Sequence, residues 1–255
     1  MFRSSVMLAT VCVLAGAPQA AAQQAAGVPP APGRLTISFN GGFQAGDHDI
    51  TRSTVFPLYD EEGRIDITQT GIGGGGFFDF GANYRVRNQL GAGIAFTFNS
   101  SEGDGAVDGS IPHPLFFDSF RTLTASANGL DHKERGVHLQ ATWHIPFTET
   151  LDFTVSAGPS FFNISQDFIR RVTFSETPPF DTVNVDEVEL LSLRKNAVGF
   201  NIGVDASYTI TPMIGVGVLA RYTRAETDFD LNDNDSASVK AGGFQIGAGV
   251  RVRLF

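Results

Sequence analysis

Four residues in one stretch carry the side-chain types of nucleophilic catalysis: His138, His144, Asp152 and Ser156. A serine beside an imidazole that a carboxylate orients can attack an acyl carbon, but such a triad is defined by geometry, not by residue types. No signature surrounds these four, so a structural role in a polar network is the plainer expectation. The run Gly71-Ile72-Gly73-Gly74-Gly75-Gly76 has the glycine spacing of a phosphate-cradling loop. That loop needs a strand before it and a helix after it to aim its amides at phosphate. An alternating pattern follows instead, which predicts a loop entering a strand. Asp228, Asp230 and Asn232 resemble the start of a calcium loop. Asp233 stands where that loop needs glycine, and Val239 where it needs glutamate. A solvated acidic segment is expected there, with a weak Ca²⁺ or Mg²⁺ site as the alternative. Asp47, Asp49, Asp60, Glu61 and Glu62 form a second acidic segment. His48, His113 and His132 read as isolated loop residues, and no metal cluster or cofactor is expected.

The elements that must position these residues are strands. Apolar residues alternate with small or polar ones over 35–44, 78–86, 90–99, 137–145, 151–161, 198–210, 214–223 and 244–253. A period of two marks strands with two unlike faces. Most of these segments have about the 9–11 residues of a membrane-crossing strand. The connections alternate between short ones, near 87–88, 146–150 and 211–212, and long ones, over 46–73, 100–135, 165–196 and 224–241. Tight turns on one side and long loops on the other are the layout of an outer-membrane barrel. The apolar faces carry Phe43, Phe78, Phe98, Phe161, Phe200, Tyr222 and Phe244 near the long loops. Tyr84, Phe147, Phe153 and Tyr208 lie near the short turns, giving two aromatic girdles. The pattern predicts an all-β, antiparallel, up-and-down transmembrane β-barrel of eight strands. Its other face turns Asp79, Arg85, His138, His144, Asp152, Asp205, Arg221, Arg251 and Arg253 into a narrow lumen. Charges of both signs in that space are expected to pair and plug it; the same residues lining a narrow channel is the alternative.

Residues 1–22 read as an export signal, with Arg3, an apolar stretch from Val6 to Gly16, and Ala20 and Ala22 at the cleavage site. Residues 23–33 are rich in Ala, Pro and Gly and read as a flexible periplasmic leader. The chain's single cysteine, Cys12, lies within that signal, so disulfides are not expected to hold the exported part together. The formal net charge is −9, and one unit more negative without Arg3. That acidity argues against nucleic-acid binding and against an overall basic, anionic-lipid-seeking face.

On strand pattern, loop asymmetry and the C-terminal aromatic Phe255, residues 34–255 resemble the small eight-stranded outer-membrane barrels of the OmpA/OmpX type. The resemblance implies an outer-membrane location in a Gram-negative envelope, contact with outer-membrane lipid and lipopolysaccharide, and a monomer. It also implies that the barrel-assembly machinery reads a final strand ending in Phe255. Here the apolar face ends on Leu254, so Phe255 is one residue out of phase. The barrel pattern runs to the last residue given, so a peptidoglycan-anchoring module is not expected. The expected role is non-enzymatic: stabilising the envelope or engaging surface partners through long loops. A narrow pore or small-solute barrel is the alternative, and a lipid A-modifying enzyme a more distant one. Residues 172–174 and 183–193 alternate enough to extend their strands past the membrane, where exposed edges suit strand addition.

Overall fold

The computed structural model describes residues 34–46, 48–232 and 235–254. The expected export signal, the leader and Phe255 lie outside them. The described residues form ten strands: β1 (Leu35–Ala45), β2 (His48–Leu58), β3 (Glu61–Ile72), β4 (Gly75–Arg87), β5 (Leu90–Pro112), β6 (Phe120–Pro146), β7 (Leu151–Glu176), β8 (Val183–Thr209), β9 (Ile214–Asn232) and β10 (Asp235–Leu254). All pairings are antiparallel, and the sheet closes on itself. β1 pairs with β4 on one side and with β10 on the other, and β5 pairs with both β4 and β6.

The expected count of eight strands is therefore corrected to ten. Eight of them close the cylinder in the order β1-β4-β5-β6-β7-β8-β9-β10. The other two, β2 and β3, form a hairpin within the stretch expected to be the first long loop. β3 continues onto the upper part of β5, pairing Arg64–Thr70 with Asp104–Ser110. The glycine run at 71–76 joins β3 to β4, strand to strand. The other expected long loops are also largely strand. β6 and β8 each run for 27 residues, about 90 Å along the strand at ~3.4 Å per residue.

The faces of these strands change character part-way up. On β7, Phe153, Val155 and Phe161 face outward, while Thr154, Ser156 and Ser160 face inward. Higher on the same strand, Phe162, Ile164 and Phe168 point inward and are buried, whereas Asn163 and Ser165 look outward. The same inversion occurs on β9 after Tyr222, where Ala225 and Phe229 are buried and Arg224 and Glu226 are exposed. Below this level the wall presents bare apolar groups, with Phe43 73% and Phe78 75% exposed. Such a surface is stable only against lipid. Above it, apolar groups are buried inside and polar ones meet water, as in any water-soluble sheet. Two inner clusters result. One gathers Ile50, Ile72, Phe162, Ile164, Phe168, Phe229 and Val239 at the top of the cylinder. The other packs Ile67, Val107, Leu123, Leu130 and Ile169 between the β2-β3-β5-β6 sheet and the β7-β8 hairpin. At Gly129, φ is +71° and the residue is skipped in the β5–β6 register, making a bulge. The bulge moves the inward set from Leu130 to the odd-numbered Leu123 and Arg121.

Small inward residues let the strands coil tightly. A Cβ on Gly249 would sit 1.7 Å from the Phe39 carbonyl oxygen across the β1–β10 seam. Gly41, on the outward face of the same seam, would meet nothing closer than 3.8 Å. Gly249→Val is therefore expected to destabilise closure by about 3 kcal/mol, the upper end for overpacking, and Gly41→Ala to be tolerated. Loss of the heat-modifiable band on unboiled gels for the first variant only would show this.

Candidate functional site

The inward faces converge on a polar network that fills the cylinder in tiers. At the short-turn end, Arg253 of β10 pairs with Asp152 of β7 and donates to Ser207 and Thr209 of β8. Ser207 also donates to Asp152 at 2.9 Å. His144 spans to Asn83 at 2.9 Å and to Thr154 at 3.0 Å. Arg85 lines the same space, and its buried Nε has no hydrogen-bond partner. A cavity of about 90 Å³ runs from Arg85, His144, Asp152 and Thr154 up to Asn40, Asp79, Arg221 and Arg251. That is room for about three waters at ~30 Å³ each.

The middle tier is the most tightly knit. Arg251 pairs with Asp205 and donates to Asn40 at 2.7 Å, and Asn40 passes a bond to Asp79 at 3.0 Å. Arg221 donates to Asp79 at 2.7 Å, to Thr97 at 2.6 Å and to Gln245 at 2.8 Å. Arg221, Arg251 and Asp79 are all nearly fully buried. Burying charge is costly unless each ion is paired and its remaining donors are satisfied, and these bonds meet that condition. The upper tier links Gln245 to Gln44, Gln44 to Glu134, and Glu134 to His132 at 2.9 Å. His132 also reaches Gln166 at 2.5 Å, and the Gly242 amide donates to Glu134 at 3.0 Å. The apolar cluster around Ile72, Phe162 and Phe229 lies beyond it.

The structure brings the nine sequence-derived lumen residues to one interior, but it does not assemble the triad considered from sequence. Asp152 is engaged by Arg253, and Ser156 lies 3.4 Å from the Gln140 amide. A different serine sits beside a histidine. His138 has Ser160 Oγ at 2.7 Å from Nδ1 and Thr97 Oγ1 at 3.0 Å from Nε2. The network is satisfied when Asn201 donates to Ser160, Ser160 to His138, His138 to Thr97, and Thr97 to Asp79. The hydroxyl is thus aimed at an imidazole, but threonine, not carboxylate, backs that ring. Both Ser160 and His138 are 0% exposed, so an acyl substrate has no approach to them. His132, read from sequence as an isolated loop residue, is instead fully buried and partnered. His132, Glu134, Gln44, Gln245 and Thr97 are network members that the sequence reading missed.

The acidic stretch on β9 has a different neighbour from the one considered. Lys195 of β8 donates to the Asp228 carbonyl and lies 3.0 Å from Asp230. Among the described residues, no group of three or more His, Cys, Asp or Glu is placed to hold a metal ion.

Removing one ion of the middle tier should expose its cost. Asp79→Ala strands Arg221 and is expected to destabilise by about 3–5 kcal/mol. Asp79→Leu with Arg221→Met should recover part of that loss. Urea unfolding in detergent, followed through the single tryptophan, Trp143, measures both.

Neisserial surface protein A is 13% identical, with 86% of this chain and 97% of that one covered and a TM-score of 0.42. The N-terminal β-barrel domain of Pseudomonas aeruginosa OprF is 12% identical, over 86% and 98%, with a TM-score of 0.39. The outer membrane protease OmpT of Escherichia coli is 11% identical, over 91% and 99%, with a TM-score of 0.47. No curated protein matches the chain. The family model for the outer membrane protein beta-barrel domain matches residues 7–251, and the chain belongs to that family, placing it in the outer membrane.

Proposed function

We propose that this protein is a sealed, non-enzymatic barrel that works at the cell surface through its extended strands. The observation that carries this reading is the stacking of closures along the lumen. Among the described residues, the arginine–aspartate tier, the His132–Glu134–Gln44 tier and the apolar cluster around Phe162 follow one another along the axis. What remains available to partners is the long extension above the apolar band, which by the usual layout of such barrels faces outward.

The tips of that extension are braced, not loose. Tyr59 donates to Glu176 at 2.6 Å, which holds the phenol above its usual pKa, and the Asp118 amide donates to Glu61 at 2.8 Å. Arg121 pairs with Glu176 and donates to the Phe180 carbonyl at 3.0 Å. Between these braces Leu115, Phe116 and Phe117 stand 63–81% exposed, an apolar tip of the kind that marks contact sites. The strand edges of the β7–β8 extension, over 172–190, suit partner binding by strand addition. Export by residues 1–22, assembly through the final strand and Phe255, a monomeric state and contact with outer-membrane lipid belong to the same proposal. A second reading, a small-solute barrel, draws support from the 90 Å³ cavity in the lumen.

Planar bilayers separate the two: the sealed barrel passes no steady current, and a reproducible single-channel conductance would replace it with the pore. Surface display is read separately. Phe117→Cys should react with a membrane-impermeant maleimide on intact cells, whereas Asn88→Cys, in a short turn, should not.

A further inference from the structure

Just above the apolar band, the outward face of β6, β7 and β8 becomes basic. The register aligns Val137 with Phe161 and Val198 in the last apolar row. The next outward row holds Arg135, Asn163 and Asn196, and the one above it Lys133, Ser165 and Arg194. Each row lies two residues, about 7 Å, beyond the last. A surface cavity of about 220 Å³ opens among Lys133, Arg135, Asn163, Ser165 and Arg194, and is lined as well by Asp131, Asp167 and Ser192. Lys133 is already paired with Asp131 at 2.6 Å, and Asp167 accepts from Ser192. The side chains of Arg135 and Arg194, both exposed, have no hydrogen bond or ion pair with any described residue.

Of the cavity's three cations Lys133 is answered by Asp131, whereas the guanidinium groups of Arg135 and Arg194 pair with neither Asp131 nor Asp167 and leave positive charge for an external anion. Guanidinium forks match phosphate oxygens in paired hydrogen bonds, and the neighbouring amide and hydroxyl add donors. At this height on a lipid-facing wall, the anion within reach is a lipid headgroup. The chain's overall acidity does not oppose this, since exposed charges act over only about 8–10 Å at physiological salt.

We propose that Arg135 and Arg194, assisted by Lys133, Asn163 and Ser165, bind the phosphate of the phosphorylated glycolipid of the outer leaflet, lipid A. The proposal rests on the reading that the extension faces the cell exterior; the opposite orientation would offer the site phospholipid instead.

The test uses the full mature chain folded in neutral detergent, with its thermal midpoint followed during titration. The probes are lipid A, dephosphorylated lipid A, phosphatidylglycerol and inorganic phosphate. Lipid A should raise the midpoint by on the order of 5 °C at saturation. Arg135→Gln with Arg194→Gln should weaken that effect at least about tenfold in apparent affinity. Dephosphorylated lipid should give no rise, and neither phosphatidylglycerol nor inorganic phosphate should match lipid A. Unchanged affinity in the variant, or an equal rise with dephosphorylated lipid, would overturn the site. An equal rise with phosphatidylglycerol or inorganic phosphate would overturn lipid A as its ligand. Detergent has no sides, so this titration reads the site even if maleimide labelling overturns the orientation. The variant's midpoint without lipid, expected to equal the parent's, shows that these exposed substitutions leave the fold intact.

Discussion

Hydrocarbon offers no partner to a backbone N–H or C=O, and each unsatisfied group there costs several kcal/mol. A sheet can cross a bilayer only when its last strand pairs with its first. Here that joint is the β1–β10 ladder, running from Leu35 opposite Leu254 to Ala45 opposite Phe244. Once it closes, each strand has one face for lipid and one for the interior. The interior of an eight-membered ring is narrow. Glycines such as Gly42 and Gly249 relieve the crowding by letting neighbouring backbones approach.

Closure also decides how charge behaves inside. Asp79 of β4 lies far in sequence from Asp205, Arg221 and Arg251 of β8, β9 and β10, and they meet because the ring brings their inward faces together. Their pairing stabilises the barrel relative to any state with one partner missing, though it need not exceed what a well-packed apolar core would give. In the sealed barrel proposed here, these guanidinium groups, bound on several sides, stand where a pore would need water.

The strands do not stop at the membrane, and the change of solvent rewrites them without a break in hydrogen bonding. On β7 the inward face passes from Ser156 and Ser160 to Phe162, Ile164 and Phe168, while the outward face passes from Phe161 to Asn163 and Ser165. Lipid outside demands apolar groups outside; water outside demands them inside. The boundary between these regimes is where the apolar cap, the His132–Glu134 tier and the outward arginines coincide. The surface role and the lipid-phosphate site proposed for this protein both sit at or above that boundary.

Much of the barrel was legible in the sequence because a two-residue period against lipid leaves an unambiguous signature. The eight membrane segments, their outward faces and the charged residues facing inward follow from alternation alone. The region above the membrane was not legible in the same way. There the phase inverts, so Phe162, Ile164 and Phe168 fall out of step with Phe153 and Phe161: Phe168 reads as loop, and the other two lie between the expected strand and loop. A continued period of two in the opposite phase was the available signal: over 172–174 and 183–193 it predicts the β7–β8 extension that the structure shows, and followed over 100–135 it would have predicted the β5–β6 one. Only the tertiary structure could show that β2 and β3 join β5, that Ser160 and not Ser156 meets His138, and that Thr97 stands between His138 and Asp79. Those facts depend on register between strands. A composition with a fixed period determines which face a side chain takes, but not which side chain it meets across the ring.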